Sequence, residues 1–248
     1  MIKISLLTYV YLLIALMSGY FYELLCYYIS LFFHEAGHLL MIGLLKKRVV
    51  KIEFSPIGGV IEVDGLVNEL NSKAFLIYSG GPLFSLIFFL CAFFCRWNDT
   101  FVLSSFLTLV LNLIPILPFD GGELLKILLQ NLWWYKRVYT IAHLLSIGIL
   151  LLGIYLLWGN VLFLVIIGYF MILNIKGLKE RAFHYYQFLL MKYWYPNPLL
   201  PIKILQKDYY QRLYKGYNNS LYHDGQYIDE TTMLKRRFAA LEPSSISD

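Results

Sequence analysis

The chain has 248 residues, of which 59% are hydrophobic and only 15% are charged. Soluble domains average about 25% charged residues, so this composition excludes an ordinary soluble protein. The formal net charge of +5 is modest, and no basic stripe accompanies a nucleic-acid-binding motif. We therefore expect contact with the lipid bilayer and its anionic headgroups, and no nucleic-acid partner.

Six apolar segments approach the length that spans a bilayer. They cover about residues 4–18, 22–45, 73–95, 100–117, 138–157 and 160–175. We interpret the first as a membrane span rather than a cleaved signal peptide, because no small-residue cleavage site separates it from the second. The predicted fold class is membrane all-α. We expect a six-transmembrane-helix bundle with a short membrane-associated β segment and a small cytoplasmic α/β C-terminal tail.

The positively charged residues indicate the orientation of these spans. Six spans place 20 of the 21 Lys and Arg residues on the side of the N-terminus and the tail, and Arg96 alone on the other side. The positive-inside rule makes the basic side cytoplasmic. The sequence therefore predicts a multi-pass protein of the cell membrane with both termini in the cytoplasm.

Two regions differ in composition from the apolar segments. Residues 46–72 are rich in β-branched residues and contain a proline and paired glycines, which predicts short strands and a turn. The Tyr-rich tail begins with an amphipathic aromatic stretch typical of a membrane interface and ends in a strand–turn–strand–helix pattern. We predict a membrane domain over residues 1–178, with its β segment at about 46–72, and a cytoplasmic tail over residues 179–248.

The stretch "HEAGH" places His34, Glu35 and His38 inside an apolar segment. Residues four apart on a helix share a face, so both imidazoles can bind one metal ion. Glu35 lies beside them and is placed to act as a base toward water. The alternative is a set of buried polar residues hydrogen-bonded between helices. Three polar groups at metal-binding spacing in a lipid-buried segment favour the metal site.

A catalytic zinc usually has three protein ligands, so one more ligand is needed. His143 stands alone in its segment, which is typical of a hydrogen-bonded core histidine. Asp120, in "LNLIPILPFDGGELL", is the best candidate, because Pro115 and Pro118 interrupt the helix and the glycine pair that follows permits a tight turn. Broken backbone at membrane depth is tolerated only where it faces protein or a hydrated cavity. We therefore expect Asp120 in an interior pocket.

With both motifs present, the sequence resembles the site-2 proteases, a family of zinc intramembrane metalloproteases. "HEAGH" at 34–38 matches its first motif, and "NLIPILPFDGG" at 112–122 matches its second in the extended form of a sporulation branch. "GGP" at 80–82 is similar to the family's small-small-Pro motif, and "PIGGVIE" at 56–62 is similar to its membrane-associated β segment. The family often has an asparagine shortly after the small-small-Pro motif, where this sequence offers Ser85.

The resemblance implies a site and a mechanism. It implies one zinc ion per chain, bound by His34, His38 and Asp120, with Glu35 as the catalytic base. It also implies that Asn112 orients the substrate, because its amide can bond the substrate backbone or the developing oxyanion.

The resemblance also implies a membrane-associated protein substrate. We expect Asn112, Pro115, Pro118, Gly58 and Gly59 to contact it. Residues 56–63 have two interpretations, an edge for strand addition or a plain interfacial hairpin. The resemblance to the sporulation branch implies that this substrate is a pro-sigma factor, processed at the mother-cell membrane around the forespore under the control of inhibitory membrane partners. The tail is short for a complete nucleotide-sensing domain of the cystathionine-β-synthase type, so we expect at most a partial domain of that type, without ATP binding.

Other functions explain fewer of these sequence features. A membrane metal-binding or transport protein with the same ligands requires further intramembrane carboxylates or histidines along a path, and His143 is the one evident extra group. An inactive scaffold is disfavoured because Glu35 and all three proposed ligands are intact. A site-2-type signalling protease with another membrane-tethered substrate is the second interpretation.

Overall fold

The computed structural model describes residues 2–4, 9, 17–55, 58–205, 212–223 and 226–239. Most of the predicted first span, at about residues 4–18, lies outside the described residues. The described chain is mostly helical. Its helices are α1 (Phe21–Leu44), α2 (Asn71–Phe94), α3 (Asp99–Leu113), α4 (Asp120–Gln130), α5 (Tyr135–Leu156), α6 (Val161–Lys179), α7 (Arg181–Trp194) and α8 (Glu230–Ala239).

Among the described residues, three helices are long and apolar enough to cross a membrane. They are α1, α2 and α5, which have 24, 24 and 22 residues. At a rise of about 1.5 Å per residue, each exceeds the roughly 30 Å of a bilayer's hydrocarbon core. Helix α3 is apolar but has only 15 residues, so it does not span the core alone. The helical membrane architecture agrees with the sequence, and the count of six spans stays a prediction.

The predicted β segment forms a hairpin. Strand β2 (Val49–Ser55) pairs antiparallel with β3 (Gly58–Val63), and Phe54 lies opposite Gly59. Strand β1 (Ile2–Ile4) pairs parallel with β2, so the sheet order is β1-β2-β3. Within the described chain, the outer edge of β3 therefore carries no further strand.

The chain divides into two compact units. The first comprises residues 1–64 and 73–124. Its helices α1 and α2 approach at their glycines, because a Cβ added to Gly37 would lie 2.3 Å from the Gly80 carbonyl oxygen. Small residues permit this close backbone contact, which is common between membrane helices.

The second unit comprises residues 65–72 and 125–248. Its short sheet is formed by β4 (Ile202–Leu205), β5 (Asn218–His223) and β6 (Gln226–Ile228), with β4 parallel and β6 antiparallel to β5. A core of buried side chains joins α7 and α8 to this sheet. It contains Tyr185, Phe188, Leu189, Leu205, Leu213, Leu221, Met233 and Leu234.

Candidate metal centre

Three potential ligand atoms converge inside the first unit. His34 Nε2 and His38 Nε2 lie 3.2 Å apart on the same face of α1. Asp120 Oδ2 lies 2.9 Å from His34 Nε2 and 3.0 Å from His38 Nε2. The histidines are 2% and 8% exposed. The structure thus brings together the three residues that the sequence proposes as ligands, although 82 positions separate His38 from Asp120.

This donor set fits a single zinc ion. Two imidazole nitrogens and one carboxylate oxygen are ligands that zinc takes at catalytic sites, where a fourth position stays open. With bonds of about 2.0–2.1 Å, tetrahedral ligand atoms lie about 3.3 Å apart. The separations between the three atoms, 2.9 to 3.2 Å, are close to that value.

Asp120 reaches the histidines because the backbone breaks before it. Helix α3 ends at Leu113, and α4 begins at Asp120 after a non-helical segment that contains Pro115 and Pro118. The glycines that follow allow close packing in the first turn of α4. A Cβ at Gly121 would lie 2.3 Å from the Leu113 carbonyl oxygen. The sequence suggested that the glycine pair permits a tight turn. In the structure both glycines lie within α4, where their small size permits close packing.

Helix α2 contacts the Nδ1 atoms of both imidazoles. His38 Nδ1 donates to the Ile77 carbonyl oxygen at 2.8 Å. His34 Nδ1 lies 2.9 Å from the Ser85 hydroxyl oxygen. Such contacts orient metal-binding histidines and select the ring nitrogen that faces the metal.

Gly81 leaves room for the metal on the same helix. A Cβ at this position would lie 2.2 Å from His38 Nε2 and 2.7 Å from His34 Nε2. Any side chain here would therefore occupy the space into which both ligand nitrogens point. This assigns a physical reason to the glycine of the "GGP" motif nearest the site.

The proposed base Glu35 is buried beside the ligands and contacts the hairpin. The Gly59 backbone N–H donates to Glu35 Oε1 at 2.8 Å. A Cβ at Gly59 would lie 2.8 Å from the carboxylate carbon, so only glycine allows this approach. The predicted β segment is thereby placed directly at the proposed base.

The remaining predicted substrate residues lie near the break between α3 and α4. Asn112 donates its side-chain amide to the Thr108 carbonyl oxygen at 3.0 Å, within its own helix. Pro115 and Pro118 are exposed in the segment that follows. Gly58 begins β3 beside Gly59. Roles in substrate binding for these residues stay predictions.

His143 lies in the second unit and has the contacts of a core histidine. It is 7% exposed, and its Nδ1 donates to the Tyr139 carbonyl oxygen at 2.9 Å. Gly177 packs against the ring, since a Cβ there would lie 2.2 Å from His143 Nε2. These contacts agree with the interpretation drawn from its isolation in the sequence.

Sequence reasoning missed the contributions of Ser85, Gly81 and the Ile77 carbonyl group. Gly81 and Ser85 are four residues apart, a spacing that places them on one helix face. That spacing was visible in the sequence. It did not reveal that this face of α2 covers the histidines, because the contact joins two separate helices.

Comparisons with known proteins identify a family and relatives with similar sequences. The profile of a family described as Peptidase M50B-like matches residues 6–119. Stage IV sporulation protein FB of Bacillus subtilis (strain 168) is 26% identical over an alignment of 211 residues that covers 79% of this chain and 73% of that protein. A zinc metalloprotease of Methanocaldococcus jannaschii is 33% identical over an alignment of 143 residues that covers 53% of this chain and 41% of that protein.

The fold is also similar to that of a solved structure. The site-2 protease from Methanocaldococcus jannaschii superposes with a TM-score of 0.56 at 22% sequence identity. The superposition covers 71% of this chain and 90% of the archaeal chain. At this identity, the likeness establishes a common fold, and the chemistry has to be argued from the residues of this chain.

Proposed function

We propose that this chain is a member of the site-2 protease family and an intramembrane zinc metalloprotease, because its sequence is similar to a Peptidase M50B-like family and to two of its relatives. It hydrolyses a peptide bond in or near a membrane-associated segment of a protein substrate. The observation that carries the proposal is the convergence of His34, His38 and Asp120 within 4.8 Å of one another, with Glu35 beside them.

His34, His38 and Asp120 would hold one zinc ion in this mechanism. Bound zinc would supply Lewis-acid chemistry, which makes an attacking water more acidic and stabilises negative charge on the carbonyl oxygen under attack. The Glu35 carboxylate takes a proton from the attacking water as the new carbon–oxygen bond forms. It then delivers that proton to the leaving amine as the carbon–nitrogen bond breaks. Asn112 stabilises the developing oxyanion or the substrate backbone near it.

Strand β3 is the proposed docking edge for the substrate. A helical substrate hides its backbone, so the segment to be cut has to be extended before it is hydrolysed. β3 is the outermost strand of the described sheet, and its Gly59 N–H donates to Glu35 on the side away from β2. Main-chain groups on one side of a strand recur at alternate residues, so Ile61 presents the next outward groups. A substrate strand added here would pass the proposed base.

The proposed substrate is a pro-sigma factor cleaved during sporulation, at the mother-cell membrane around the forespore. The support is the relative named for stage IV of sporulation, which matches 79% of this chain. Inhibitory membrane partners would then control cleavage. The alternative to a pro-sigma factor is another membrane-tethered protein substrate, which the same site would cleave by the same chemistry.

Co-expression in a bacterial host tests both the activity and the substrate. Each candidate pro-sigma factor, carrying an epitope tag, is produced with the wild-type chain or with Glu35→Gln. We expect a size shift with the wild type and none with Glu35→Gln, which keeps all three metal ligands. Cleavage by Glu35→Gln would contradict the assigned base. If the pro-sigma factor stays intact while another membrane-tethered substrate is cleaved, the proposed substrate class is wrong. The proposed protease activity is still supported in that case.

A further inference from the structure

Ser85 is a buried polar residue that the proposed mechanism does not use. It lies on α2 and is 1% exposed. Its hydroxyl oxygen is 2.9 Å from Nδ1 of His34, which is 2% exposed. A buried ring N–H requires a hydrogen-bond partner, because water cannot reach it. The hydroxyl supplies that partner from the neighbouring helix.

The contacts of the two imidazoles define where their protons lie. The Ile77 carbonyl oxygen can only accept, so His38 Nδ1 carries a proton and Nε2 keeps its lone pair. A metal on His34 Nε2 likewise requires the proton of the neutral ring on Nδ1, and the Ser85 hydroxyl then accepts it. Both imidazoles are therefore held from α2, one by the main chain and one by a side chain that can be replaced.

We propose that Ser85 is a positioning residue for the metal centre. Its hydroxyl fixes the ring orientation and the tautomer that present His34 Nε2 beside His38 and Asp120. Ser85 does not touch metal or substrate, so it acts through His34. This inference rests on the proposed metal site. It adds to that site a residue that lies outside the two motifs that contain the proposed ligands.

The chain offers a matched control for the loss of a buried hydroxyl. Ser105 on α3 is also 1% exposed, and its hydroxyl donates to the Val102 carbonyl oxygen at 2.9 Å within its own helix. Ser105→Ala removes the same atom in a similarly buried place without touching a histidine. A general packing effect would appear in both variants, and a positioning effect only in Ser85→Ala.

Metal binding by the full-length chain in detergent micelles is the test. Zinc affinity is measured by competition with a chelator, and ligand geometry by the visible absorption of the Co²⁺-substituted protein. Loss of a partner to a metal-binding histidine typically lowers metal affinity about 10–100-fold. We expect a loss of that size and an altered Co²⁺ spectrum for Ser85→Ala, with Ser105→Ala unchanged in both.

A second pair of variants keeps the test decisive if Ser85→Ala does not fold. Ser85→Thr and Ser85→Val have the same shape and differ by one hydroxyl. We expect the threonine variant to bind zinc more tightly than the valine variant. Equal zinc affinities in this pair, or a Ser85→Ala variant that binds zinc as the wild type does, would overturn the proposal. A wild-type chain that fails to bind zinc would overturn the metal site itself, and this proposal with it.

Discussion

Gly81 is the position at which the candidate metal site tolerates added volume least. A single Cβ there would lie 2.2 Å from His38 Nε2 and 2.7 Å from His34 Nε2. We expect Gly81→Ala to reduce bound zinc from about one ion per chain to a trace and to abolish cleavage, because a structural or catalytic site needs all its ligands in place. Elemental analysis of the purified protein measures the zinc.

Gly43 provides the control for that substitution. It lies on α1, the helix of the histidines, and a Cβ there would meet nothing within 4 Å. Replacing glycine by alanine inside a helix favours the helix by about 1 kcal/mol, so Gly43→Ala should keep its zinc. A Gly81→Ala variant with a full zinc complement would show that the site is more open than the contacts indicate.

Residue type and spacing were sufficient to predict part of this site. His34 and His38 follow from helical spacing, and Asp120 follows from the need for a third ligand near a proline-broken segment. The parts that were not predicted depend on contacts between helices. Ser85 and Gly81 contribute to the site because α2 packs against the face of α1 that carries the histidines. The sequence of α2 does not indicate which face of α2 makes that contact.

At the scale of single elements, helix α7 shows that an amphipathic pattern does not determine what its apolar face packs against. Its aromatic residues predict a segment lying at the membrane interface. In the structure, Tyr185 and Phe188 are buried in the protein core formed with β4–β6 and α8. The pattern identifies an apolar face correctly. It does not distinguish lipid from protein as the material that covers the face.

A buried ion pair links α7 to α8 within that core. Lys192 Nζ lies 2.6 Å from Glu230 Oε1, and the two side chains are 2% and 7% exposed. Lys192 also donates to the Tyr217 carbonyl oxygen at 2.7 Å, and Glu230 accepts from the Asn219 N–H at 2.9 Å. Burial lowers the pKa of the Lys192 ammonium below its ordinary value, although the Glu230 carboxylate opposes that shift. Each charge therefore depends on the other for compensation.

Removing one member of this pair should destabilise the tail strongly. We expect Lys192→Met to cost about 3–5 kcal/mol, because it leaves the Glu230 carboxylate buried and uncompensated. The double variant Lys192→Met/Glu230→Gln should recover much of that loss. The rate at which thermolysin cleaves the tail of the full-length protein under native conditions measures the difference.

The exposed pair Lys176–Glu180 serves as a control for this prediction. Its charged atoms are 3.9 Å apart, and the side chains are 67% and 45% exposed. Surface pairs of this kind contribute about 0.3–0.5 kcal/mol, so Lys176→Met should leave the cleavage rate nearly unchanged. Equal sensitivity of the Lys192→Met and Lys176→Met variants would show that the buried pair has no special role.

At the scale of the whole molecule, chain order does not predict which segments share a unit. Residues 65–72 follow the hairpin and include the first two residues of α2, yet they belong with the residues from 125 onward. Asn68 donates its side-chain amide to the Tyr195 carbonyl oxygen at 2.7 Å, and Asn71 donates to Asn131 Oδ1 at 2.8 Å. Such pairings between distant polar residues have no periodic signature. Composition and hydropathy, in contrast, were enough to predict a helical membrane protein.

Membrane orientation is the whole-molecule property that charge alone predicts. Arg96, between α2 and α3, is the single basic residue expected on the outer side, and Lys126, Lys136 and Arg137 flank a turn expected on the inner side. The positive-inside rule acts through such short connections near span ends, so the basic turn should remain cytoplasmic. We expect alkaline phosphatase fused after Trp97 to be active and the same enzyme fused after Leu132 to be inactive. The reverse pattern of activities would contradict the predicted orientation, and activity at both positions would contradict the number of spans between them.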